Sequence, residues 1–129
     1  MQERYRYSKD LNLEIVDDLF LADFSLPQII TKGQLAKATF VYRKESIKPN
    51  DYVLFTSFIN NQTGEIYQSA NIPSYGLINI RDWSESLYYI EDVDFNIPPA
   101  VDPGTYHAFV GMTNNIRTRS IYLGNVEVK

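Results

Sequence analysis

One imidazole, no thiol and scattered carboxylates set narrow limits on the chemistry open to this chain. Among its 129 residues His107 is the single histidine, and cysteine is absent. Disulfides, thiolate zinc sites and a cysteine nucleophile are thereby excluded, as is any site built from several histidines. Hydrolysis asks for a nucleophile beside a base, or for two facing carboxylates. No pair of residues is spaced to supply either. His107 alternates with Tyr106, which places it on the outer face of a strand as a surface residue without a role. Glu91, Asp92 and Asp94 form the densest acidic patch. With Asp17, Asp18 and Asp23 they would line a calcium site if the two strands met. Calcium-loop spacing is missing, and alternation turns Asp92 and Asp94 outward, so a solvated face is the expectation. No phosphate-cradling glycine loop is present. These readings predict a chain that is not an enzyme, with no metal and no cofactor.

The aromatic residues offer the other chemistry: ten Tyr, seven Phe and one Trp. Sugars present apolar C–H faces that stack on rings, while Asn, Asp and Arg bond their hydroxyls; the same mixture suits protein interfaces. Trp83, flanked by Arg81, Asp82 and Glu85, is the best single ligand contact, and Tyr75 lies in the same irregular segment. Tyr88 and Tyr122 occupy outward phases of strands, and Tyr67 also falls on a strand. The polar loop Asn114, Asn115, Arg117 is the second choice, because loops at the end of a sandwich commonly carry binding. Most of the other rings read as packing.

Charge removes further classes. The net charge is −4, whereas phosphate backbones are bound by clustered Lys and Arg. The two small basic clusters, Arg4, Arg6, Lys9 and Arg117, Arg119, read as solvated surface, so nucleic acid is not an expected partner. No apolar run approaches the roughly 20 residues that span a bilayer, so no membrane insertion is expected. The first residues lack the apolar stretch of a secretory signal. Either the protein is not exported, or this is a segment of a longer chain; if that longer protein is exported, the cell envelope or exterior is the expected place. The compartment stays open.

The elements that must position these residues are strands. Short alternating runs recur between turn residues every ten to fifteen positions, the signature of a sandwich or barrel. Residues 1–10 are polar and patternless, and are read as frayed; 11–129 form one domain. Leu13, Ile15, Leu19 and Leu21 alternate as one strand or two short ones. Leu35 to Lys44 puts Ala36, Ala38, Phe40 and Tyr42 on one face, and Lys37, Thr39 and Arg43 on a wet one. Tyr52 to Ile59 is apolar on both faces and therefore central. It joins a return strand, Glu65 to Ala70, through Asn60-Asn61-Gln62-Thr63-Gly64. Residues 71–86 are irregular, with an edge strand predicted around Leu77 to Ile80. Leu87 to Ile97 turns Val93, Phe95 and Ile97 inward; Thr105 to Met112 does the same with Tyr106, Ala108, Val110 and Met112. In the last strand, Ser120 to Lys129, Ile121 and Leu123 fall out of phase with Val126 and Val128, which predicts a bulge at Gly124-Asn125.

One stretch is more specific. Asp102-Pro103-Gly104-Thr105-Tyr106-His107-Ala108 resembles the Asp-x-Gly/Ala-x-Tyr-x-Cys pattern of immunoglobulin-like domains. The resemblance implies that Tyr106 forms a tyrosine corner, its hydroxyl bonding back to upstream backbone, with Asp102 and Gly104 in the turn. Ala108 replaces the cysteine and the third-strand Trp is missing, so an antibody-type domain is not implied. A wider cadence runs from Phe95-Asn96-Ile97-Pro98 through Pro103-Gly104-Thr105-Tyr106 and Val110-Gly111 to Gly124-Asn125-Val126-Glu127-Val128. It is similar to accessory β-sandwiches appended to bacterial glycan-processing enzymes, glycosyltransferases and polysaccharide exporters. The expectation is an all-β, immunoglobulin-like antiparallel sandwich of seven or eight strands, with Tyr106, Asp102, Gly104 and Phe95 as structural residues. Its expected role is that of a non-catalytic accessory module recognising a glycan. The alternative is a protein–protein interaction or assembly domain.

Overall fold

The computed structural model describes residues 2–3, 11–16, 19–45, 53–71, 88–113 and 118–129, with 2–3, 16 and 69–71 described by backbone alone. Ten strands are present among them: β1 (Gln2–Glu3), β2 (Leu13–Val16), β3 (Leu19–Ser25), β4 (Ile29–Ile30), β5 (Leu35–Lys44), β6 (Val53–Asn60), β7 (Ile66–Asn71), β8 (Tyr88–Asn96), β9 (Gly104–Thr113) and β10 (Thr118–Val128). Eight of these have four residues or more, against the seven or eight expected from the sequence; β1 and β4 have two each. No helix is present among the described residues, and so none long and apolar enough to cross a membrane.

The strands form two five-stranded sheets, ordered β1-β8-β5-β3-β2 and β4-β10-β9-β6-β7. All pairings are antiparallel except β4 with β10. The chain leaves the first sheet after Ser25 and crosses to the second, where Ile29 and Ile30 run parallel to Glu127 and Val128. An early strand divided between sheets, β3-β5-β8 on one side and β10-β9-β6 on the other, is the arrangement of an immunoglobulin-like sandwich.

The core lies where the two inner faces meet. Phe40, Tyr42, Tyr89 and Phe95 come from the first sheet, and Phe58, Tyr106, Val110 and Met112 from the second; each is at most 3% exposed. Phe58 and Phe95 pack across the layers with ring centroids 5.3 Å apart. Burying a side chain of this size stabilises by about 1.5–3 kcal/mol. The β6–β7 hairpin closes as its residues dictate. Asn60 Oδ1 accepts the backbone N–H of Gln62 and of Thr63 at 2.9 and 3.0 Å, and Gly64 takes φ +76°. Strand β6 lies between β9 and β7, in the interior position its two apolar faces require.

Four expectations need correction. Glu91 does not join Asp92 and Asp94 on the wet face; it faces inward in phase with Tyr89 and Val93 and is 1% exposed. Arg43 is likewise not on a wet surface. It is 9% exposed, with its guanidinium over the Phe20 ring and ion-paired to Glu45, and Lys44 beside it is buried too. Leu13, the first apolar position of the alternating run it shares with Ile15, Leu19 and Leu21, is exposed while those three are buried. The bulge in β10 centres on Leu123, because the pairing with β9 shifts between Tyr122 and Gly124. Of the segment read as frayed, Gln2 and Glu3 pair with Tyr89 and Tyr88, while residues 4–10 lie outside the described residues, as does the predicted strand at Leu77 to Ile80.

Candidate functional site

The extra residue in β10 builds the site. In a regular strand, positions 122 and 125 would point to opposite faces. Because Leu123 is bulged and Gly124 takes φ +128°, Tyr122 and Asn125 both lie on the outer face of the second sheet. Tyr122 pairs with Phe109 of β9, and Asn125 with His107. The Tyr122 hydroxyl donates to Asn125 Oδ1 at 2.7 Å. His107 Nδ1 lies 2.7 Å from the same oxygen. With Oδ1 accepting both, the Nδ1 proton is on His107 and its Nε2 is left as an acceptor in the neutral ring. Both contacts fall on Oδ1, so the Asn125 amide nitrogen makes neither and keeps its two N–H donors.

The Tyr122 ring is held from two sides. It meets the His107 ring edge-on, with centroids 5.7 Å apart, and the Phe109 ring at 5.5 Å. It is nonetheless 53% exposed, a rigid aromatic surface beside a fixed set of donors and acceptors. On the other side of Asn125 a groove of about 340 Å³ opens between β10 and the crossing segment, lined by Phe24, Leu26, Pro27, Leu123 and Asn125 among others. Glu127 N–H points away from β9 and bonds Gln28 O, at the start of the β4 pairing, at 2.9 Å. By alternation the Asn125 N–H and C=O, two residues earlier, point the same way, into the groove. Asn125 therefore presents its side chain to the face and its backbone to the groove.

Two rows of side chains continue from this corner across the whole sheet. One runs Tyr122, Phe109, Ser57, Gln68, and the next Asn125, His107, Ile59, Ile66. The outer face of the first sheet differs in kind: it carries the Lys37–Asp94 ion pair (3.8 Å), the bond from Thr39 Oγ1 to Asp92, and Asp23. Among the described residues no three acidic or imidazole groups converge on a metal position.

The residues singled out from sequence are distributed differently. Trp83, Tyr75, Asn114 and Arg117 lie outside the described residues. Tyr88 is half-buried on the outer face of the first sheet, opposite Arg43, and so belongs to the other side of the sandwich from Tyr122. Tyr106 is buried, and its hydroxyl donates to Asp102 O at 2.5 Å. Gly104 opens β9 with φ +141°. Phe95 is 3% exposed in the core. Tyr67 packs inward on Phe58, with its hydroxyl bonded to Asn96 O. His107 and Asn125 were not read as site residues. The signal for them was the glycine-marked bulge, which brings Tyr122 and Asn125 into one phase.

No family model matches the chain, and no curated protein matches it. Solved structures do. A Niemann-Pick type C2 protein from the Japanese carpenter ant superposes with a TM-score of 0.61 at 7% identity, covering 94% of this chain and 98% of its own. The C-terminal domain of wzt gives 0.59 at 15% identity, covering 90% and 76%. The alkylpurine DNA glycosylase AlkC of Pseudomonas fluorescens gives 0.56 at 11% identity over 87% of this chain, which spans only 30% of that enzyme. At such identities the likenesses establish a shared sandwich and nothing finer.

Proposed function

We propose that this chain is a non-catalytic accessory module that recognises a glycan, in carbohydrate or cell-envelope polysaccharide biology, through the outer face of its second sheet. One observation carries the reading. Tyr122 offers an exposed ring whose orientation is fixed by Asn125, while Asn125 and His107 hold their remaining donors and acceptor beside it. Sugar recognition asks for this pairing of an apolar plate with directional polar groups. Rings and amides already tied to each other lose little rotamer freedom on binding. The non-catalytic part of the reading is supported by the one imidazole bonding an amide, with no nucleophile or carboxylate bonded to it among the described residues.

The test is isothermal titration of a panel of oligosaccharides. At least one is expected to bind, and Tyr122→Ala to abolish that binding while the melting midpoint holds, since the ring is half exposed. Silence across the panel, or unchanged binding by Tyr122→Ala, would overturn the reading. A second reading, a protein-interaction module, is favoured by β10. Among the described residues β4 covers only Glu127 and Val128, so the edge from Thr118 to Val126 has no strand bonded along it. Concentration-dependent dimerisation in light scattering, lost when a proline replaces Asn125, would favour it.

A further inference from the structure

The described charges are divided unevenly between the two outer faces. On the first sheet Lys37, Asp23, Asp92 and Asp94 occupy outward positions, and Arg43 lies on the same side, buried against Phe20. On the second, the described outward positions paired across β10, β9, β6 and β7 include a single carboxylate, Glu127 at one end, and no Lys or Arg; Arg119, near the other end of β10, is exposed but pairs with inward-facing Met112. Glu127 is itself bonded by the Thr105 hydroxyl. What remains is aromatic, aliphatic or neutral and hydrogen-bonding. The row from Tyr122 to Gln68 is exposed at both ends. It is lowest at Ser57, a small side chain 8% exposed between larger neighbours. Three strand spacings of about 4.8 Å make that row roughly 14 Å long, longer than the footprint of Tyr122 and Asn125 alone.

From this we infer that the face takes an uncharged polysaccharide chain lying across all four strands, from Tyr122 on β10 to Gln68 on β7. The inference rests on the glycan reading above and adds the ligand's charge, its length and a second contact. Among the described outward residues an acidic polymer would find no cation to offset its desolvation. It would also approach a protein of net charge −4. A neutral chain meets neither penalty: its ring stacks on Tyr122, its hydroxyls reach Asn125 and His107, and its far end reaches the Gln68 amide.

The experiment compares dimers and hexamers of neutral β-1,4-linked glucose, mannose and N-acetylglucosamine with hexamers of galacturonate and mannuronate, by calorimetry on the full chain. A neutral hexamer is expected to bind about tenfold tighter than its dimer, a gain of roughly 1.4 kcal/mol, and about tenfold tighter than either uronate. Raising NaCl to about 0.5 M, where the screening length is roughly 4 Å, is expected to change that affinity less than about twofold. Gln68→Ala, at an exposed position, is expected to return the hexamer to dimer affinity and leave the dimer unchanged. A preference for uronates, a steep salt dependence, or a silent Gln68→Ala would overturn this inference. Dimer binding lost in Tyr122→Ala would at the same time keep the glycan reading standing. Absence of all binding would remove both.

Discussion

Gly111 tests the packing beneath the proposed binding face. It pairs with Phe55 on one side and Ser120 on the other, on the outer surface of β9. Phe55 is only 7% exposed although it points away from the core, because its ring lies on the space left by the missing side chain. A Cβ at Gly111 would stand 2.8 Å from Phe55 Cε1, and closer still to Phe55 Cζ and to the Arg119 backbone carbonyl. The ring can lift, at the loss of part of the roughly 1.5–3 kcal/mol its burial contributes. The carbonyl belongs to β10 and moves only with that strand, an overpacking cost of about 1–3 kcal/mol. Reduced freedom of the unfolded chain returns about 0.4–1 kcal/mol. Gly111→Ala is thus expected to destabilise by about 2–4 kcal/mol, read as a lower midpoint in urea at unchanged slope. In a Phe55→Ala background the ring is gone and the carbonyl remains, so the same substitution should cost about 1 kcal/mol less without becoming neutral. A cost under about 0.5 kcal/mol, or equal costs in the two backgrounds, would refute this account of how β9 and β6 support the face.

Two further predictions concern the core. Tyr106→Phe removes the donor to Asp102 O and leaves a carbonyl unpaired at the turn, so about 1–3 kcal/mol of stability should be lost; an unchanged melting midpoint would show that the bond contributes nothing. Burial, and secondarily the Glu91 carboxylate, hold the Tyr42 hydroxyl neutral far above the usual tyrosine range. Its contribution is therefore complete below about pH 10, the unfolded-state value, and lost as pH rises further and the unfolded chain ionises first. Tyr42→Phe should flatten the alkaline loss of stability by about 1.4 kcal/mol per pH unit; identical alkaline slopes in urea titrations would contradict this.

Period-two alternation made much of the sandwich legible before any coordinates. Val93, Phe95 and Ile97, and Tyr106, Ala108, Val110 and Met112, turn inward as their spacing requires. The Asn60 to Gly64 turn follows from its own side chains. The same alternation placed Glu91 inward, in phase with Tyr89 and Val93. Its acidic neighbours suggested a surface patch instead, and local phase was the better guide. Arg43 differs from its expected wet position for another reason: what covers it, Phe20 and Glu45, is decided by tertiary packing that pattern alone does not carry. The parallel β4–β10 contact involves two residues and has no periodicity to detect. The site was legible only in part. Tyr122 was read as outward, but its partnership with Asn125 depends on which single residue bulges, and that of Asn125 with His107 on pairing 18 positions away.

The most direct measurement is an amide ¹H–¹⁵N correlation spectrum of the wild-type protein, titrated with a neutral oligosaccharide that binds. The expected shifts cluster at His107, Phe109, Tyr122 and Asn125 and extend to Ser57 and Gln68. Shifts confined to Thr39, Tyr88 and Asp92 on the opposite sheet, or none at saturating sugar, would contradict a binding face built on the β10 bulge.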